Sequence, residues 1–166
     1  MADLLKELLD KRALDELIFR TMHALDACDW RAYGASFVQD AAFDFREHGA
    51  APPEARQVIV GIETVIALQR SVIEGFDTTQ HHVTNMIHTI DGDSAVTDCY
   101  LYAEHFLNTD RGDRSVSLGG RYQVSTRRYP DGWKVHRWRF YSPWLRGNPM
   151  LYQLAVENTS ARAAKA

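Results

Sequence analysis

The stretch Thr79-Gln80-His81-His82-Val83-Thr84-Asn85-Met86-Ile87-His88-Thr89-Ile90, followed by Asp91-Gly92-Asp93 and a second alternating run from Ala95 to Leu107, decides the fold. Apolar and β-branched residues recur at every second position, and an Asp-Gly step between two such runs is a hairpin signal. Two further runs, Val116 to Arg127 and Trp133 to Pro143, are separated by Pro130-Asp131-Gly132. The polar loop Asn108 to Asp113 joins the middle pair. Four runs connected in this way predict an antiparallel meander.

Upstream, the period changes. From about Leu4 to Asp26, Leu14, Leu17, Ile18, Met22 and Leu25 recur at helical spacing, so one face of a long helix is apolar. Asp29 reads as the N-cap of a short second helix. Asp40 to Phe45 alternates as a short strand, with Asp40, Asp44 and Glu47 read as solvated acids. Gly49 to Pro53 is a loop, and a helix over Ile62 to Ile73 follows Gly61. Downstream, a C-terminal helix is expected over about 149–157, with a loose tail over 159–166. Helices first and then one long sheet argue an α+β chain. The expectation is a single domain over 1–166 with its core at about 8–145: a curved, mostly antiparallel sheet wrapped by N-terminal helices into a cone with an internal, mostly apolar pocket.

Composition narrows the function classes. At 166 residues, 45% hydrophobic and 25% charged, the chain can bury a core of its own. A formal net charge of −3 with scattered Lys and Arg argues against nucleic acid. No apolar run approaches the ~20 residues of a membrane span. Cys28 and Cys99 fit no metal-ligand spacing and read as reduced thiols of a cytoplasmic protein. His81, His82, His88, His105 and His136 lack the spacing of a metal motif, so neither a metal nor a nucleotide cofactor is expected.

One pair of residues proposes chemistry. Asp26 shares or borders the inward face of the first helix, and a carboxylate there needs a partner. His81 opens the first strand of the meander. Together they would form an oriented general base, with the carboxylate fixing the imidazole tautomer. On a regular strand His81, Val83, Asn85 and Ile87 share the cavity face, and His82 points away. Asn85 either binds substrate or ties the sheet to a helix.

Four stretches resemble the SnoaL-like branch of the nuclear-transport-factor-like cone superfamily: Arg12 to Leu17 through Ala24-Leu25-Asp26; Gln80 to Asn85; Gly119-Gly120-Arg121-Tyr122; and Asp131 to Val135. The pattern is most similar to its cofactor-independent lyases: hexachlorocyclohexane dehydrochlorinase, scytalone and bile acid dehydratases, and lyases releasing formaldehyde from lignin-derived diols. The resemblance implies His81 as base and Asp26 as its orienter. One face of so long a sheet needs covering, so a homo-oligomer is expected, and the resemblance puts a trimer before a dimer. The dehydrochlorinase's inward Lys falls on Thr21, and its last-strand cation falls near Trp138, beside Arg137 and Arg139.

Aromatic residues on the meander suit a flat substrate. Tyr33, Tyr100, Tyr102 and Tyr122 are candidate donors, with Trp138 as a wall and Arg139 as a cation. The expected function is a lyase acting on a small, hydrophobic, hydroxylated aromatic molecule, losing water or formaldehyde. An isomerase or polyketide-type cyclase using the same base is the alternative, as is a non-catalytic small subunit or ligand-binding protein.

Overall fold

In the computed structural model, residues 1–49 and 53–164 are described. Helix α1 (Ala2–Asp26) buries Leu14, Leu17, Ile18, Met22 and Leu25, the apolar set predicted from spacing. It ends where Cys28 takes a left-handed conformation (φ 52°). Asp29 then caps helix α2 (Trp30–Ala35), its Oδ1 accepting the Ala32 N–H at 2.9 Å. Strand β1 (Phe37–His48) is longer than expected because it is paired on both sides, antiparallel to the short β2 (Val58–Val60) and parallel to the last strand of the meander. Helix α3 (Ile62–Ile73) starts after Gly61, whose φ of 96° suits glycine.

The meander follows as β3 (Thr78–Asp91), β4 (Ser94–Phe106), β5 (Ser115–Tyr129) and β6 (Gly132–Gly147). The two-residue turns fall at Gly92-Asp93 and Pro130-Asp131. The described residues form one open six-stranded sheet in the order β2-β1-β6-β5-β4-β3. Helices α1 to α3 pack on one face. Tyr33, Phe37, Phe43, Tyr122, Trp138 and Phe140 fill the space beneath them, with Phe43 stacked on Trp138 at 6.0 Å.

Three expectations are corrected. The register between β3 and β4 slips between Thr84 and Ile87, and Asn85 adopts φ 56°. One extra residue reverses the alternation. Thr79, His81 and Val83 face the helices before the bulge, and Met86, His88 and Ile90 after it, so Asn85 and Ile87 turn outward. Second, Asp44 is 1% exposed rather than solvated. Arg46 donates to it at 2.8 and 2.7 Å, Arg137 at 2.6 Å, and Arg139 Nε lies 3.5 Å away. The Arg46 hydrogen bonds lead in holding its carboxyl well below the usual carboxylate range. Third, the expected loose tail is helix: α4 runs Met150–Ala163. Residues 165 and 166 lie outside the described residues, as do 50–52 of the expected loop.

Helix α4 is seated by Leu151 and Ala155 against Phe76, Leu107 and Val116. The Asn158 side chain donates to the Gly75 carbonyl at 3.3 Å, and Arg162 donates to the Glu74 carbonyl. Gly75 is required by this approach, since a Cβ there would fall 1.8 Å from the Ala155 carbonyl oxygen. Gly75→Ala should therefore push α4 outward and cost about 1–3 kcal/mol, seen as a lower urea midpoint at unchanged slope.

Candidate active site

Asp26 is the last residue of α1, and Thr79 and His81 are successive inward positions on β3. The three side chains meet. Asp26 Oδ1 accepts from the Thr79 hydroxyl at 2.7 Å and lies 2.7 Å from His81 Nδ1; Oδ2 accepts the His81 backbone N–H at 2.8 Å. A carboxylate acceptor assigns the proton to Nδ1 and leaves Nε2 as the basic nitrogen. Among the described residues, Nε2 has no hydrogen-bond partner. Burial works to raise the Asp26 carboxyl, but His81 and Thr79 together outweigh it and hold it below its ordinary value. The His81 side chain is 7% exposed and that of Asp26 21%.

A cleft of about 610 Å³ opens over the dyad. Phe19, Met22 and His23 of α1 form one wall, and residues 78–84 of β3 the other. It is an open, mixed polar and apolar cleft at the sheet edge, whereas an enclosed apolar pocket was expected.

The other candidate residues divide by face. Tyr33 and Tyr122 lie on the dyad side, 1% and 7% exposed. Neither phenol has a hydrogen-bond partner among the described residues. Burial raises the pKa of both, and Tyr122 also feels the charge of Asp26. Trp138 walls this side at 4.9 Å from the Tyr122 ring. Tyr100 and Tyr102 project from the opposite face of the sheet. Arg139 is on that outer face too, engaged with Asp44 and Gln123, and Asn85 is exposed at the bulge. Thr21 is fully buried and donates to the Leu17 carbonyl.

Two residues beside the dyad were not singled out from sequence. The His105 ring stands edge-on to His81 at 5.4 Å, and its Nδ1 lies 3.4 Å from the Tyr152 hydroxyl. The alternation of β4 places 101, 103 and 105 inward, so His105 follows from the pattern; Tyr152 depends on how α4 docks. Among the described residues, no cluster of three or more His, Cys, Asp or Glu side chains is placed to hold a metal ion. No described helix is long and apolar enough to cross a membrane.

An open, mostly antiparallel six-stranded sheet with helices packed on one face defines a protein of the nuclear-transport-factor-like cone class. Residues 6–139 match the SnoaL-like domain, and the chain belongs to that family. A search of curated proteins gave no match. Among solved structures, a protein provisionally described as an aromatic ring hydroxylase from Novosphingobium aromaticivorans is 25% identical, covering 92% of this chain and 97% of its own, with TM-score 0.73. A protein provisionally described as a scytalone dehydratase from the same organism is 20% identical over 89% and 92%, with TM-score 0.75. Hexachlorocyclohexane dehydrochlorinase (LinA) type 2 is 16% identical over 87% and 92%, with TM-score 0.72. The last two likenesses are of fold.

Burial, then the neighbouring His81 charge, pushes His105 down to about 3; burial, then Arg56, pushes His48 down to about 4. Both lie below the ordinary 6.5, so the unfolded chain binds more protons between those values and stability falls as pH falls through this window. Each proton is worth about 1.4 kcal/mol per pH unit. Urea midpoints from pH 6.5 to 4 should fall, and His105→Gln should make the slope shallower by close to one proton.

Proposed function

We propose that this chain is a cofactor-independent lyase acting on a small hydrophobic, hydroxylated aromatic substrate. The observation carrying this reading is the Asp26–His81 contact, 2.7 Å at Nδ1, with Nε2 left unpartnered beneath an open cleft. His81 Nε2 takes a proton from substrate carbon or hydroxyl, and Asp26 stabilises the imidazolium that forms.

Two outcomes keep the electrons balanced. In a dehydration, the C–H pair becomes the new C=C bond, the C–O bond breaks, and the departing oxygen takes the proton back from the His81 imidazolium. In a retro-aldol cleavage, the hydroxyl proton goes to His81, the C–C bond breaks, formaldehyde leaves, and the carbon that held it takes the proton back. Burial keeps Tyr33 and Tyr122 protonated at neutral pH, so either would serve as a hydrogen-bond donor and not as a source of the proton. The same phenols also favour a second reading, an isomerase or cyclase in which a donor meets a developing enolate.

Hydroxylated aryl and diaryl compounds, screened by mass spectrometry, should reveal a product lighter by water or formaldehyde; unchanged mass would favour the second reading. His81→Ala and Asp26→Asn should remain folded and lose ~10²–10⁴-fold in turnover. Folded His81→Ala working at the wild-type rate would falsify the assignment.

A further inference from the structure

Thr79 and His81 are successive inward positions of β3, and one oxygen of Asp26 is within hydrogen-bond reach of both. Two such positions stand about 6.8 Å apart along a strand, so their side chains can close on one atom from either side. Asp26 Oδ1 accepts the Thr79 hydroxyl at 2.7 Å and lies the same 2.7 Å from His81 Nδ1. An ionised carboxylate only accepts, which makes the Thr79 hydroxyl a donor. Both donors therefore draw on Oδ1, while Oδ2 takes the His81 backbone N–H at 2.8 Å. Thr79 is 8% exposed, so the bond is largely shielded from water. Its β-branched side chain is stiff about χ1, which keeps the hydroxyl on the carboxylate.

An imidazole base depends on how strongly the carboxylate behind it holds the imidazolium. A second donor on the shared oxygen takes up part of its charge and so weakens that hold. The Thr79 hydrogen bond acts on the Asp26 carboxyl in the same sense, by lowering it. Among the described residues, that carboxylate accepts from Thr79 and His81 alone. Cys28, His105 and Tyr122 feel its charge without bonding to it. His23 and His82 line the cleft beside it, and Tyr152 stands behind His105.

We propose that Thr79 is a positioning residue: it fixes the Asp26 carboxylate against the imidazole and limits how tightly the Asp26–His81 pair holds a proton. The effect on the pair stands by itself; its bearing on turnover rests on the reading of His81 as the reacting base, given above.

NMR titration of the substrate-free protein tests the effect on the pair. Thr79→Val keeps the shape and loses the hydroxyl, whereas Thr79→Ser keeps the hydroxyl. The Asp26 carboxyl and His81 ring signals are followed together, because the two groups titrate as a coupled pair. In Thr79→Val, with native circular dichroism, the pair should titrate at a pH higher by roughly half a unit to one unit. Thr79→Ser should stay with the wild type. With a substrate from the screen, the acid limb of kcat/KM should move to higher pH by the same amount in Thr79→Val. If Thr79→Val does not fold, the wild type carries the test: its Thr79 hydroxyl proton, held on the carboxylate, should give a slowly exchanging signal of its own. A folded Thr79→Val whose pair titrates as in the wild type overturns the proposal. So does a Thr79→Ser that follows Thr79→Val, or a Thr79 hydroxyl that exchanges too fast to be seen. A pair that shifts while the acid limb stays put upholds the role of Thr79 and overturns His81 as the reacting base.

Discussion

A carboxylate on the last residue of a helix sits in an unfavourable field, because the unpaired carbonyls there present the negative end of the helix dipole. Asp26 stays ionised in that position because β3 supplies three donors, two of them from His81 alone. One of these is the backbone N–H of an edge strand, which would otherwise be left unpaired. The contact therefore does two things. It pins the end of α1 to the sheet, and it fixes the imidazole with its second nitrogen free. Structure and chemistry are not separable at this site, so a variant at Asp26 must be judged on folding as well as rate.

The bulge at Asn85 explains how one strand meets the same helix twice. His81 and His88 are seven residues apart and would lie on opposite faces of a regular strand. The extra residue brings both inward. His88 then reaches Asp15 with Nε2 at 2.9 Å and Thr97 with Nδ1 at 2.7 Å. Both of its nitrogens are engaged, so it serves as a tie between α1 and the sheet. His81 has the same kind of carboxylate partner but keeps Nε2 free. A histidine with both nitrogens engaged can only tie, whereas one with Nε2 free can accept a proton.

Much of this was legible in the sequence where local chemistry dictates local structure. The Asp29 cap, the Gly92 and Gly132 turns and the start of α3 after Gly61 were read from the residues that make them. The pairing of Asp26 with His81 was proposed from two periodicities and a resemblance, and the two side chains do meet. What escaped was non-local. Nothing in the alternation of 79–90 marks Asn85 as the extra residue. Asp44 reads as a surface acid until β1 is laid parallel to β6, which brings Arg137 and Arg139 beside it. The His105–Tyr152 contact requires knowing where α4 lands. Each of these depends on a pairing between elements distant in sequence, which no window of local pattern contains.

The charge state of the site constrains the chemistry proposed for it. Asp26 is ionised, His105 is held neutral, and the buried phenols remain protonated at ordinary pH. The positions where a cation was sought do not supply one: Thr21 is turned onto its own helix, and Arg137 and Arg139 are drawn to Asp44 on the far face. A departing halide needs a positive charge or a dense set of donors where its own charge develops. A departing hydroxyl or a nascent carbonyl needs only a proton, taken from an acid or returned by the imidazolium. The proposed base, once it has taken a proton, can return it to the leaving group, which is matched to the second demand. The proposed loss of water or formaldehyde therefore follows from a proton that the imidazolium can return and from cations that are engaged elsewhere.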